Sequence, residues 1–341
     1  MKAEIKNPAT LTEAVKYFAD PDISLQYVVA IRWPHGIRCP HCGSDKVHFL
    51  ANQRRWKCAT NHPRRQFSAK VGTIFEESPL PLEKWLAAVW LETNAKNSIS
   101  SYEVARALGI TQKSAWFMLH RVRFALQSGS FEKVGGAGTI IEADETFVGG
   151  KAEFMHKIRR KKVVMGRGAG GSLNKTAVMG LLDRHSAKHS KVRTVVLEGH
   201  VNRKAIHEVI HKHVETGTHL ITDAHPGYEK LGPDYIHSFI DHAEKYVDGI
   251  VHTNGLENFW SLFKRCIKGT HISVEPFHLA AYLDSEAFRF NNRKVLDGDR
   301  FRLAMQGISG KRLTYKSLIG AVESEGHYER DKTVASDGPV N

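Results

Sequence analysis

No run of 18 or more apolar residues occurs in this chain, which excludes a membrane-spanning helix of ordinary length. Its opening, MKAEIKNPAT, lacks the apolar core of a secretory signal, so none is expected. Cysteine is scarce: there are four in 341 residues, three of them between Cys39 and Cys58, with Cys266 far away. That is not the even, dispersed pattern of a disulfide scaffold, and it predicts a reducing cytoplasm and a metal site. Acidic residues are short as well, 36 against 49 Lys and Arg, leaving a net charge of +13. The imbalance points to a polyanionic partner, nucleic acid before membrane surface. Repeats and low-complexity tracts are absent. The length and the 41% hydrophobic content fit two or three domains with ordinary cores.

Residues 10–30 read as one or two short helices ending at Asp20-Pro21-Asp22, with an apolar run over 23–31. Cys39-Pro40-His41-Cys42 follows, a tight knuckle in which two thiolates can reach one ion. Cys58 comes after an alternating, strand-like stretch marked by Val47, Phe49 and Trp56. Position 61 is Asn, so a second CxxC is missing; His62 is the natural substitute, with His41 and His48 as competing donors. Cys39, Cys42, Cys58 and His62 would make a closed Cys3His site for structural zinc. Arg54, Arg55, Lys57, Arg64 and Arg65 surround it and suit contact with phosphates.

Pro81 opens a helix carrying Leu82, Trp85, Leu86, Val89 and Trp90. Ser100-x-x-Glu103 has the form of a capping box for a short helix over 102–108, ended by Gly109. Thr111 then caps a helix buried along Ala115, Leu119, Val122 and Leu126. The arrangement predicts a helix-turn-helix, with Gln112, Lys113, Arg121 and Arg123 on its exposed side. An ordinary helical hairpin fits the pattern as well, and overall basicity favours DNA. Lys113 and Arg121 are the expected DNA contacts.

Beyond a glycine-rich linker at 135–138, residues 139–148 read as a strand with Glu142 and Asp144 on one face and Glu145 on the other. A loop over 151–175 carries Arg159, Arg160, Lys161 and Lys162, which would grip a nucleic-acid backbone. Strands over 176–182 and 192–197, a helix over 202–214, a strand over 219–222 ending at Asp223, and a fifth strand over 235–240 follow. Leu256, Phe259, Trp260, Phe263 and Ile267 then form one helical stripe, while Glu257, Ser261, Lys264 and Lys268 form a second, polar one. This order predicts an α/β fold of the ribonuclease-H-like kind, a mixed sheet with flanking helices. In it Asp144, Asp223 and Glu257 can converge. Three close carboxylates need divalent metal, and oxygen-only donors favour Mg2+ or Mn2+, with two ions for phosphodiester chemistry. His252, Lys264 and Arg265 are placed to hold phosphates, although His252 can equally cap the helix that follows.

Asp144-Glu145-Thr146-Phe147-Val148-Gly149-Gly150, Thr222-Asp223-Ala224-His225-Pro226-Gly227-Tyr228 and the stretch 252–265 resemble the DDE transposases of bacterial insertion sequences. The likeness is to the ISXO-type branch, which carries an N-terminal zinc ribbon. It extends through Gly269-Thr270-His271 and Phe288-Arg289-Phe290-Asn291-Asn292-Arg293, and upstream through Arg32-Trp33-Pro34-His35-Gly36 and Val71-Gly72-Thr73-Ile74-Phe75. The resemblance implies that Asp144, Asp223 and Glu257 bind the catalytic metal, and that the activity is DNA cleavage and strand transfer at element ends. It also implies a dimer or larger assembly on terminal inverted repeats and target DNA. The lack of a second CxxC departs from the family pattern at the ribbon. The expected layout is helices and zinc ribbon over 1–75, a helical DNA-binding segment over 76–134, a catalytic domain over 135–320 and a polar tail over 321–341.

Two other readings compete. A zinc-ribbon DNA-binding regulator with an inactive α/β domain would share the basic and helical features, but it does not require all three acids. His207-Glu208-Val209-Ile210-His211 matches HExxH, which would make a zinc peptidase, yet a peptidase needs neither ribbon nor basic loop.

Overall fold

The computed structural model describes residues 6–127, 132–149, 175–184, 189–197, 201–240 and 251–321. The chain divides into two compact units: Met1–Glu92, Ser101–Leu126 and Asp297–Asn341 in the first, Thr93–Ser100 and Gln127–Leu296 in the second. Among the described residues no helix is long and apolar enough to cross a membrane.

In the first unit, α1 (Leu11–Phe18) and α2 (Pro21–Arg32) are each capped by the side chain before them. Asp20 accepts the amides of Asp22 and Ile23, and Pro21 occupies the first helical turn, where it forfeits no bond. Asp20-Pro21-Asp22, expected to end a helix, therefore starts one, and the apolar run after it is helical. Strands β1 (Val47–Leu50), β2 (Arg55–Cys58) and β3 (Gln66–Phe67) form a three-stranded antiparallel sheet in that order. Alternation along β2 buries Trp56 and Cys58 and exposes Arg55 and Lys57.

Three helices follow: α3 (Leu82–Asn94), α4 (Ser101–Leu108) and α5 (Gln112–Leu126). Gly109, at φ +59°, makes the left-handed turn after α4, and the Thr111 hydroxyl accepts the Ser114 amide to start α5. The two helices and the glycine turn between them are thus present, but the face assignment needs correction. Ala115 and every residue from Met118 to Leu126 are buried, including Arg121 and Arg123. Arg121 donates to the Glu76 carbonyl and lies over the Trp85 and Phe117 rings, while Arg123 donates to the Glu92 carboxylate at 2.9 Å. Residues 297–321 account for part of this burial. Leu313 and Leu318 pack on Phe124, and Lys311 donates to the Ala125 carbonyl. Expected within the catalytic segment, these residues cluster instead with the first unit, where Phe301 stands among Phe18, Tyr27 and Trp90 at ring distances of 5.3–5.7 Å.

The second unit is built on a five-stranded mixed sheet. Its strands are β5 (Ile140–Val148), β6 (Thr176–Asp183), β7 (Lys191–Leu197), β9 (His219–Asp223) and β10 (Ile236–Ile240), in the order β10-β9-β5-β6-β7. β5, β6 and β7 run antiparallel to one another, while β9 and β10 run parallel to β5. The glycine stretch expected as a linker is instead tied down. Val134–Gly135 (β4) pairs with Val214–Glu215 (β8), and the Gly136 amide donates to Thr218 Oγ1 at 2.8 Å.

β6 is apolar and buried from Ala177 to Leu182 because both its faces are covered. Ala177, Met179 and Leu181 join a core containing Ile206 and Ile210 of α6 (Arg203–His213). Val178 and Leu182 join the opposite core, with Leu256, Phe259, Trp260 and Phe263 of α7 (Asn254–Cys266) and Leu279, Leu283 and Phe290 of α8 (Leu279–Asn291).

Candidate active site

Asp144 lies at the middle of the sheet, paired across the ladder with Gly180. A Cβ on Gly180 would stand 2.7 Å from both Leu256 and Trp260, so the glycine lets α7 settle directly on the sheet. The Trp260 indole consequently reaches Asp144, donating to its Oδ2 at 3.0 Å. Glu142, on the same strand face, accepts the Leu256 amide at 2.9 Å. Parallel pairing of β5 with β9 ends at Glu142 and Ile221, and Asp223 lies two residues beyond, close enough for its charge to act on Asp144. Asp223 also accepts the His225 amide at 3.1 Å, as an Asx turn does, so it both ends the strand and starts the turn.

Asp144, Glu145, Thr146, Glu257, Trp260, Ser261, Lys264, Arg265, Lys268 and Gly269 line one open cleft. The polar stripe of α7 forms one wall. After α7 the chain passes into a π-helical turn, Ile267–His271, which carries Lys268 and Gly269 into the lining. The turn is anchored by Thr270 on the Asn97 carbonyl at 2.8 Å and by His271 on the Ser98 hydroxyl at 3.2 Å.

Electrostatics mark the floor of this cleft. Burial, then the neighbouring Asp223 charge, pushes Asp144 up to about 6, against the opposing Trp260 hydrogen bond. Burial likewise pushes Glu145 up to about 7, with the charges of Asp223 and Asp144 acting in the same direction. The Tyr228 hydroxyl, buried beside Glu145, is held well above its ordinary range. Glu145 points to the strand face opposite Asp144, yet its carboxyl still belongs to the cleft and lies against the Tyr228 hydroxyl. Sequence alternation alone placed Glu145 away from the site. The signal that could have found it is its adjacency to Asp144 in the sequence.

The cleft's donor set is all oxygen and carries more negative charge than burial tolerates, which fits a hard divalent cation and not zinc. The acids are more widely spread than the donors of the ribbon. Among the described residues, Cys39, Cys42, Cys58 and His62 form the one group whose ligand atoms all lie within 4.8 Å of one another. Cys39 Sγ is 3.4 Å from His62 Nε2 and Cys42 Sγ is 3.6 Å from Cys58 Sγ, spacings that suit four donors around one tetrahedral zinc. His62 is therefore the fourth donor of the cluster, in place of His41 or His48.

The expected nucleic-acid contacts divide. Lys264 and Arg265 line the cleft, and Lys113 is exposed, its ammonium 4.7 Å from the Tyr315 ring centroid. Arg121 is withdrawn from this set because it is part of a packed core. His252 is also engaged internally: Arg184 donates to its carbonyl at 2.5 Å and lies 2.8 Å from its Nδ1. Arg159, Arg160, Lys161 and Lys162, and the polar tail beyond 321, lie outside the described residues. The HExxH pair does not assemble a metal site among these residues. His207 Nε2 approaches the Glu229 carbonyl at 3.1 Å and His211 Nδ1 the Tyr235 hydroxyl at 3.3 Å, so both rings are used in packing the helix.

Comparison with known proteins agrees with this geometry. Residues 135–291 match the ISXO2-like transposase domain and residues 22–60 match the transposase zinc-ribbon domain. The second match stops two positions before His62, so that donor rests on the fold of the ribbon. A protein in the transposable element ISH50 of Halobacterium salinarum is 25% identical over 296 residues, covering 83% of this chain and 96% of its own. No solved structure matches the chain significantly. With both domain matches present, and in this order, the chain is similar to the ISXO2-like transposases that carry an N-terminal zinc ribbon.

Proposed function

We propose that this protein is a DDE transposase that cuts the DNA ends of an insertion sequence and joins them to target DNA. The observation that carries the reading is the meeting of Asp144, Glu257, Lys264, Arg265 and Lys268 in one cleft, with the charge of Asp223, at the end of the neighbouring strand, acting on Asp144. Three antiparallel strands followed by two parallel ones, in the order β10-β9-β5-β6-β7, support a ribonuclease-H-like fold for the unit.

Asp144, Asp223 and Glu257 are assigned as ligands of Mg2+ or Mn2+. Two such ions, if held there, would supply activation of a water or 3′-hydroxyl and stabilisation of the leaving oxygen of a phosphodiester. The chain's own part is to hold and orient. The Trp260 indole fixes the Asp144 carboxylate. Lys264, Arg265 and Lys268 bind the backbone beside the scissile phosphate, so affinity falls steeply with salt. In the ribbon, Arg55 and Lys57 face outward from β2 and are placed for further phosphate contacts. Joining two element ends requires two active sites close together, hence a dimer or larger assembly on DNA.

Labelled duplexes carrying the element's terminal repeats, incubated with the protein and Mg2+, test this reading. Wild type is expected to nick and join them, and Asp223→Asn to lose activity on the order of a thousandfold while still binding the ends. Equal cleavage by Asp223→Asn would remove the acid triad from the mechanism. Tight binding with no cleavage by wild type would favour the DNA-binding regulator.

A further inference from the structure

Glu142 is more than a neighbour of Asp144. Its side chain is 1% exposed, a setting in which a carboxylate must be fully paired. Arg184, directly after β6, donates Nε to Glu142 Oε1 at 2.7 Å. The same guanidinium reaches the His252 carbonyl and ring, and His252 Nδ1 lies 3.9 Å from Glu142 Oε1. The other oxygen, Oε2, accepts the amide of Leu256, the third residue of α7. The next amide, that of Glu257, makes the helix's first internal bond, to the Thr253 carbonyl at 3.0 Å.

An amide of the first helical turn has no intrahelical acceptor and must find one elsewhere. Here the acceptor comes from the sheet, two residues from Asp144 on the same strand face. The approach is so close that a Cβ on Gly255 would stand 2.8 Å and 3.0 Å from the two Glu142 oxygens. A side chain at that position would therefore have to displace the Glu142 carboxylate from the start of the helix.

We propose that Glu142, held by Arg184 and His252, is a positioning residue that clamps the start of α7 to the Asp144 strand and sets Glu257 opposite Asp144. One strand then supplies both a carboxylate of the cleft and the anchor of the helix that brings another. The clamp rests on the reading of the cleft as a metal-dependent active site.

The test uses the full chain with Mn2+ alone as probe. Mn2+ affinity is measured by calorimetry, and amide exchange at Leu256 and along α7 by hydrogen–deuterium exchange. Glu142→Ala is expected to speed exchange at the start of α7 and to weaken Mn2+ binding about tenfold or more, the size typical of groups that orient metal ligands. Glu142→Gln, which keeps a carbonyl acceptor, is expected to recover part of both, and Gly255→Ala to repeat the loss by pushing the helix away. Leu181→Ala, a core truncation on the other face of the sheet, serves as the control: it lowers thermal stability while leaving Mn2+ affinity unchanged. Glu142→Ala binding Mn2+ as tightly as wild type would overturn the clamp, whatever happens to amide exchange. Wild type that binds no Mn2+ and cuts no DNA would instead sink the parent reading, a result told apart because the loss is then already present before any substitution.

Discussion

The ribbon and the cleft proposed as the active site bring their side chains together by opposite means. The four ribbon donors lie within 24 consecutive positions, 39 to 62, and their ligand atoms stand within 4.8 Å of one another. A tight knuckle and one short strand are enough to deliver them. The acids lining the cleft run from Asp144 to Glu257 and come from a strand and a helix, with Asp223 of a second strand acting on them by its charge, so only the assembled sheet brings them near each other. Thiolates and an imidazole closed around one ion leave no room for substrate, which suits a structural part. Carboxylates around an open cleft keep their charge in conflict until something binds, which suits a working one.

Removing one ligand should therefore have unlike consequences in the two places. Cys39→Ser is expected to have the largest effect. Structural zinc sites of this kind contribute about 10–16 kcal/mol of metal-coupled folding, so the ribbon loses bound zinc and its sheet, while Mn2+ binding at the cleft persists. Metal analysis together with hydrogen exchange over β1 to β3 checks this, and a ribbon that keeps its protection without zinc would break the contrast.

A smaller effect is expected at the cleft and should show in the metal-free protein. The folded chain holds the Asp144 proton up to about 6, whereas the unfolded chain releases it near 3.8, so the folded state binds more protons between those values. Stability must then fall as pH rises from about 4 through 6, by up to about 3 kcal/mol. Asp144→Asn removes that dependence and leaves the metal-free protein more stable than wild type at neutral pH. Denaturant unfolding in EDTA at several pH values would show it; parallel pH profiles for the two proteins would mean the acids are not in conflict.

Trp260→Phe should have the smallest effect. It keeps an aromatic ring against Gly180 but removes the 3.0 Å hydrogen bond to Asp144, worth about 1–2 kcal/mol to a charged acceptor. Mn2+ affinity is expected to drop severalfold, with the pH for half-binding moving upward, because the lost donor favoured the charged carboxylate. An unchanged pH profile would show that the indole is only packing.

Parts of this structure were legible from the residues because the signal is local. The Cys39–Cys42 knuckle, the period-two pattern of β2, the apolar stripe of α7 and the strand ending at Asp223 each follow from spacing over a few positions. Arg121 and Arg123 mislead for a related reason. Arginine on a helix reads as solvent-facing until another segment covers it, and residues 297–321, far along the chain, help cover α5. The glycines at 135–138 read as a linker because nothing nearby reveals Thr218, which accepts the Gly136 amide.

The sequence by itself determined which residues can be ligands, the order of strands and helices, and the sign of the charge offered to a partner. Composition, periodicity and capping act over a few residues, so they can be read without the fold. Only the tertiary structure decided that Glu142 anchors α7, that Glu145 joins the cleft and that Arg121 and His252 are engaged within the protein. Those outcomes depend on which distant groups share a low-dielectric space, where a carboxylate or guanidinium must find a partner, and pairing across a hundred positions leaves no periodic trace in the chain.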